Sequence, residues 1–257
     1  MNFAQRLVAV RTLVIREITR ILRIWPQTLL PPIITMSLYF VIFGQLIGER
    51  IGEMKGHPYI TFIVPGLIML SVITNSYSNV VSSFFSAKFQ RNIEEILISP
   101  MSFAMVISGF IIGGMFRGLV VGLLVSVVAL GFTKIPVHNV LVVVAIILMT
   151  SALFALGGLL NAIFAKKFDD INIFPTFVLT PLTYLGGIFY SIDDLPQFWQ
   201  QVSLFNPILY MVNAFRFGFL GFSDMPIVYA FSFLAVFIVI LFFISYTLLK
   251  RGYGIRT

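Results

Sequence analysis

The chain contains no cysteine. Disulfide staples, thiol nucleophiles and thiolate metal sites are therefore excluded. Histidine is nearly absent: His57 and His138 lie far apart in sequence, and neither has a second histidine at ligand spacing. No HExxH occurs, no pair of carboxylates falls inside an apolar segment, and no GxxxxGKS/T phosphate loop exists. A metal site and ATP hydrolysis by a phosphate loop in this chain are thus not expected, and neither is a membrane enzyme. Charge is the scarcest class, at 11% of residues against about 25% in a soluble domain. So few charges cannot cover a water-facing surface. With 59% hydrophobic residues and a mean hydropathy of +1.01, the chain belongs in a bilayer. A net charge of +7 would suit nucleic acid or an anionic membrane surface. This hydropathy favours membrane lipid and no nucleic acid.

What the sequence does contain is long apolar segments. A spanning helix needs about 20 apolar residues to cross about 30 Å of hydrocarbon. Six segments qualify: Leu29 to Ile47, Tyr59 to Ser86, Phe103 to Phe132, Val140 to Phe164, Ile173 to Tyr190 and Ile227 to Leu249. The expectation is an all-α membrane protein with six transmembrane helices, formed as one domain over residues 1–257 with no linker. Of the 17 Lys and Arg, twelve flank alternate ends of these segments on one side. Arg50, Lys55, Lys134 and Arg216 fall on the other, and Arg117 lies inside a span. The positive-inside rule therefore puts both termini in the cytoplasm.

Residues 1–25 are not a signal peptide, because five arginines interrupt them and no small-residue cleavage site follows. On a helical wheel Phe3, Leu7, Val10, Val14, Ile18, Ile21, Leu22 and Trp25 share one arc. Arg6, Arg16, Arg20 and Arg23 share the other, while Arg11 falls on the apolar side, where its stem would snorkel. This is the pattern of an interfacial helix, and Pro26 would bend the chain into the first span.

"KFQRNIEEILISPMS", from Lys88 to Ser102, places charges between two apolar segments. Phe89, Ile93, Ile96 and Leu97 would share one face of a helix, with Lys88, Gln90, Arg91, Glu94 and Glu95 around the other. Ser99-Pro100 should stop this helix, since proline disfavours helix in the residue before it, and should cap the next. Arg117 is an ionisable residue deep in a span, a placement that usually means a protein or water contact. Facing protein and snorkelling from a misplaced span start are equally open for it. Gly109, Gly113, Gly114, Gly118 and Gly122 surround it with spacings of four in two registers, which favours close helix packing. In the Lys166-Lys167-Phe168-Asp169-Asp170 loop a solvated mixed-charge turn is expected.

After the fifth segment the pattern breaks. Gly186-Gly187 loosens the helix, Asp193-Asp194 and Pro196 end it, and Asn206-Pro207 interrupts the chain again. Ile208 to Leu220 is apolar but short, and it carries Arg216. A re-entrant outer cap over residues 191–221 is expected. Irregular backbone at membrane depth requires protein or water cover.

These pieces resemble the membrane subunits of type-2 ATP-binding cassette (ABC) exporters. "YITFIVPGL" from Tyr59, "FQRNIEEILISPMS" from Phe89 and "GGIFYSIDDLPQFWQQVSLFNPILYMVNAFR" from Gly186 carry the resemblance, and their order and spacing cover nearly the whole chain. The resemblance implies a bacterial inner-membrane permease that binds no cofactor directly. ATP and Mg would sit on a separate ATPase subunit, and a homodimer with two ATPases is implied. Residues 88–101 would be the coupling helix seated in the ATPase, with Arg91, Glu94, Glu95, Ile96, Leu97 and Pro100 at the contact. Gly186, Gly187, Asp193, Asp194, Pro196, Asn206, Pro207 and Arg216 would form the outer gate. A stand-alone six-span carrier or channel is the alternative, although no inverted repeat is seen. Many of the 28 Phe fall in the spans and suit apolar cargo, but lipid-facing positions explain them equally well.

Overall fold

The computed structural model describes residues 2–254, except for the side chains of Phe3 and Leu97. The side chain of Leu97 and the terminal Thr257, to which expectations above attach, lie outside the described residues. The fold is helical. Helix α1 covers Phe3–Arg23, and its cap is a reciprocal pair in which Asn2 accepts from Gln5 N and Gln5 accepts from Asn2 N. Helix α2 spans Trp25–Ile51, α3 spans Tyr59–Phe89, α4 is the short Asn92–Ile98, α5 spans Phe103–Leu130 and α6 spans Val140–Phe164. Asp170–Phe174, Pro175–Leu179 and Thr180–Tyr184 run on as one helix, α7. Gln197–Leu204 forms α8, Pro207–Leu220 forms α9 and Ile227–Lys250 forms α10. A two-stranded antiparallel ribbon, Glu53–Met54 with His57–Pro58, closes the turn between α2 and α3.

Among the described residues, α2, α3, α5, α6 and α10 are long and apolar enough to cross a membrane, which makes five. The expected fifth crossing, Ile173 to Tyr190, differs. Its helix ends at Tyr184, and Gly187 then turns with φ +68°. Fifteen helical residues rise only about 22 Å. Pro175 and Pro181 each remove a backbone donor, and the segment at Pro175–Leu179 widens to π-helix. The first crossing carries a second π-helical stretch at Phe40–Ile47. Such widenings are rare and concentrate at functional places.

Helix α3 is the hub. It is buried along most of its length, with Phe62, Ile63, Leu67, Ile73, Val80 and Phe84 fully enclosed. It packs against α5 on one side and α6 on the other, with α9 across its N-terminal half. Helix α10, the most apolar span, is largely exposed. That pattern suits a helix whose solvent is lipid.

Both glycine registers of α5 are occupied. A Cβ on Gly109 would strike Leu13 of α1, and one on Gly113 would meet Glu17 Cβ at 2.6 Å. On the other register, a Cβ on Gly114 would meet Val80 at 2.5 Å, one on Gly118 would strike Ser76 Oγ, and one on Gly122 would meet Val72 at 2.8 Å. One set of glycines admits α1 and the other admits α3. Gly118→Val should therefore destabilise the protein by about 1–3 kcal/mol through overpacking. Gly157→Ala is the control, because its Cβ would meet only Tyr77 at 3.9 Å. Thermal unfolding in detergent should show a lowered midpoint for the first and no change for the second. Equal midpoints would remove close α3–α5 approach as the reason for Gly118.

Candidate functional site

Polar groups converge at three levels along α3. At the base, α3 continues through Phe89, because Phe85 and Phe89 pack edge-on against Phe168, with ring centroids 4.9 and 4.8 Å apart. Lys88 Nζ donates to the carbonyls of Ile163 (2.8 Å) and Ala165 (2.6 Å), which closes the C-terminal end of α6. Nearby, Asp170 accepts from the backbone N–H of Lys166 and Lys167 (2.8 and 3.0 Å), and these two donors hold its carboxyl below the usual range. The helix expected over Lys88 to Ser99 is thus two elements. Arg91 takes the left-handed conformation (φ +62°) and turns the chain sharply into α4.

On α4, Ile93 is buried at 1% exposure and Ile96 is partly buried. Arg91, Glu94, Glu95 and Pro100 are exposed, and so is Ile98, at 84%. Ser99 ends the helix as expected, but the next cap is Ser102, whose side chain accepts from Met105 N (3.3 Å). Proline stands three residues too early to start α5.

The middle level is a polar ladder that sequence reasoning missed. Leu13, Glu17 and Ile21 form the buried stripe of α1. Arg16 Nη2 donates to Glu17 Oε1 (3.0 Å), while Arg20 Nη2 and Ser83 Oγ donate to Oε2 (3.2 and 2.7 Å). Arg20 also donates to Asn79 Oδ1 (2.8 Å). Expected on the outer polar face with Arg16 and Arg23, Arg20 instead turns inward, while Arg23 stays exposed. One turn further along α3, Asn75 Oδ1 accepts from Arg117 Nη2 (3.0 Å), which also reaches the Thr28 carbonyl (3.4 Å). Arg117 therefore faces protein. Beside it a cavity of about 430 Å³ opens between α2, α3 and α7.

At the third level, toward the start of α3, Arg216 is fully buried on α9. Its guanidinium lies 3.9 Å over the Phe62 ring, and Nη2 donates to the Gly187 carbonyl (2.6 Å). Asp224, which no sequence motif marked, sits 4.0 Å away at the ion-pair limit. Asn206 caps α9 through Ile208 N (3.0 Å) and donates to the Leu182 carbonyl (2.6 Å), and Pro207 is the first residue of α9. A Cβ on Gly186 would meet Ile208 at 2.7 Å. Gly186, Gly187, Asn206, Pro207 and Arg216 are therefore brought together. Asp194 accepts from Ser191 N (3.2 Å) and Pro196 precedes α8. Asp193 faces the other way and pairs with Lys55 beside the β-ribbon, which raises the Lys55 pKa. Among the described residues no group of His, Asp or Glu could hold a metal.

Buried ion pairs broken on one side cost about 3–5 kcal/mol. Glu17→Ala should leave Arg20 and Ser83 without their acceptor and loosen α1. A cost of about 3 kcal/mol raises the opening equilibrium of α1 about a hundredfold. Amide hydrogen exchange should show lost protection confined to residues 3–23. Unchanged exchange would mean that Glu17 does not hold α1.

The profile described as "ABC-2 type transporter" matches residues 8–220. The inner membrane transport permease YadH of Escherichia coli (strain K12) is 56% identical over 250 residues, 97% of this chain and 98% of that protein. Nodulation protein J of Rhizobium leguminosarum bv. trifolii is 26% identical over 217 residues, 83% and 82% of the two chains. Its counterpart in Sinorhizobium fredii is 26% identical over 218 residues, 84% and 82%.

Proposed function

The chain belongs to the ABC-2 type transporter family, and from that premise we propose that it is the export path of a transporter driven from below by a separate ATPase. It is a multi-pass inner-membrane permease subunit, a non-catalytic transmembrane component whose family implies an ABC ATPase partner. ATP and Mg would be held by that partner. Two copies of this chain would pair over two ATPases, with both termini in the cytoplasm and six crossings in all. The fifth crossing would be completed by α7 together with residues 185–190. Helix α1 would lie at the lipid surface, where Leu7, Leu22 and Trp25 are exposed.

The observation that carries the reading is α4. It is a short, stiff element hung directly beneath the hub helix, anchored through buried Ile93 and presenting Glu94, Glu95 and Ile98 outward. An exposed isoleucine one helical turn after two exposed glutamates suits a groove on a partner better than water. The acidic pair at the start of α4 also matches the positive end of the helix dipole. Alternating access would follow when nucleotide-driven closure moves α4 and the residues around Arg216 yield at the outer face.

Truncating or reversing a desolvated interfacial charge costs about 2–5 kcal/mol. Glu94→Lys with Glu95→Lys should therefore lower affinity for the ATPase by about 30-fold or more, with normal permease levels in the membrane. Co-purification of the ATPase reads this directly. Undiminished binding with unchanged transport would reduce α4 to a solvated loop helix. Topology reporters should give cytoplasmic signals at Thr257 and periplasmic signals at Asp193, because twelve Lys and Arg lie on the terminal side against four opposite. A periplasmic signal at Thr257 would overturn the six-crossing layout.

A further inference from the structure

The cavity beside Arg117 has two chemically distinct ends. Helices α2 and α7 run one way past it and α3 runs the other. Gln27 of α2, Ser78 of α3 and Pro175 of α7 therefore mark the same end as Arg117, and Tyr39, Leu70 and Tyr184 mark the opposite one. The first end is polar. The second is an aromatic wall in which Phe189 lies 6.0 Å from Tyr39 and 6.5 Å from Tyr184, ring to ring.

Charge at the polar end is unbalanced. Arg117 bonds only to neutral oxygens, through Nη2, and its Nε has no partner among the described residues. No Asp or Glu among the described residues lines the cavity. The nearest acid in the ladder, Glu17, is already shared by Arg16, Arg20 and Ser83. Arg20 bonds Asn79, one turn along α3 from the Asn75 that holds Arg117. Two guanidinium groups and one carboxylate thus sit together between the helices, beside a third, more exposed arginine. A buried charge without a counter-ion is costly, and a planar guanidinium is matched to carboxylate or phosphate. Hydroxyls of Thr74 and Ser78, one turn apart on α3, add polar groups facing the same space. The volume falls in the range of small-molecule sites.

We propose that this cavity takes an amphipathic anion, with its phosphate or carboxylate at Arg117 and its apolar body along Leu70, Tyr39, Tyr184 and Phe189. That this anion is the cargo rests on the transporter reading above. Its binding rests on the cavity alone.

The test uses the full-length permease with its ATPase in phosphatidylcholine nanodiscs and a diazirine-bearing dodecyl phosphate as the probe. Photolabelling should map to residues 31–39, 70–78 and 175–189. Unlabelled dodecyl phosphate should compete, while dodecanol and inorganic phosphate at equal concentration should not. Arg117→Gln should cut labelling at least about tenfold, the loss of one charge-assisted hydrogen bond, and Arg117→Lys should retain part of it. Should Arg117→Gln fail to fold, Ser78→Asp puts a negative charge in the cavity and should abolish labelling with the helices intact. Equal competition by dodecanol overturns the anionic end, and equal competition by inorganic phosphate overturns the amphipathic one. Undiminished labelling in either folded variant overturns the site. ATPase co-purification on the same samples reads the transporter assignment separately: labelling lost with the ATPase retained rejects this site alone. Labelling retained with no ATPase bound rejects the transporter reading alone.

Discussion

Charge carried to membrane depth must be met by protein, because hydrocarbon offers no hydrogen bond in return. In this chain the meeting place is α3. Asn75, Asn79 and Ser83 stand at intervals of four on its length and form a polar stripe on an otherwise buried helix. Arg117 comes to the stripe from α5, and Glu17 with Arg20 comes from α1. Both approaches depend on glycine. Gly113 leaves room for the stem of Glu17, and Gly118 leaves room for the α3 backbone next to Arg117. Polar satisfaction and close packing are therefore one arrangement. A larger residue at Gly113 would push Glu17 away from Ser83, and losing Ser83 or Asn79 would leave charges that the glycines had admitted.

The outer end follows the same rule with different chemistry. Arg216 is fully enclosed and is met by the Phe62 ring of α3, a carbonyl made available by the left-handed turn at Gly187, and Asp224 at the limit of an ion pair. A cation over an aromatic face in a desolvated place is worth about 2 kcal/mol. Guanidinium tolerates this mixed company because its charge is delocalised and weakly hydrated. Helix α9 can thus be packed across α3 with its first turn satisfied, since Asn206 supplies both a cap to α9 and a bond to the Leu182 carbonyl.

Helix positions were legible from apolar run length alone, and the two glycine registers of α5 announced its two close neighbours. Pairings were not. Glu17 is an acid among five arginines, and a wheel that sorts apolar from charged residues assigns it to the wet side. Its partner Ser83 lies 66 residues away, and Asn79, the partner of Arg20, lies 59 residues from that arginine. The signal was present only in combination: Leu13, Glu17 and Ile21 share one stripe, and Asn75, Asn79 and Ser83 share another. An acid inside an apolar stripe and a polar stripe of matching period are a reason to dock two helices. The helix of the fifth crossing was read six residues too long, because Leu182 to Tyr190 carries no charge and only Thr183 is polar. Hydropathy carries no information about the missing donors of Pro175 and Pro181 or the turn at Gly187. The coupling stretch was read as one helix because its amphipathic period runs through Gln90-Arg91. The break there is conformational, with a left-handed arginine, and Lys88 is held by the end of α6 instead.

Taken with the proposed coupling role of α4, these contacts separate stiff parts from yielding ones. Helix α3 extends about 46 Å and holds α4 at its base. Its outer end lies beneath Arg216 and the Ile188 backbone, which a Cβ on Gly66 would meet at 2.8 Å. Lys88 ties the base of α3 to α6, and Asn161 of α6 bonds both the Tyr77 hydroxyl and the Ile171 carbonyl. A displacement of α4 is thus shared by α3, α6 and the start of α7. Close packing at Gly114 and Gly118 leaves no slack for α5 to stay behind. What can yield are the π-helical stretches of α2 and α7, each with a loosened hydrogen-bond ladder, and the turn at Gly187. Pro175 and Leu179 of the α7 stretch line the space beside Arg117, while the α2 stretch directly follows the lining residue Tyr39 and Gly187 directly precedes the lining residue Ile188. In this geometry a push from below changes the shape of the cavity before it changes the packing of the hub.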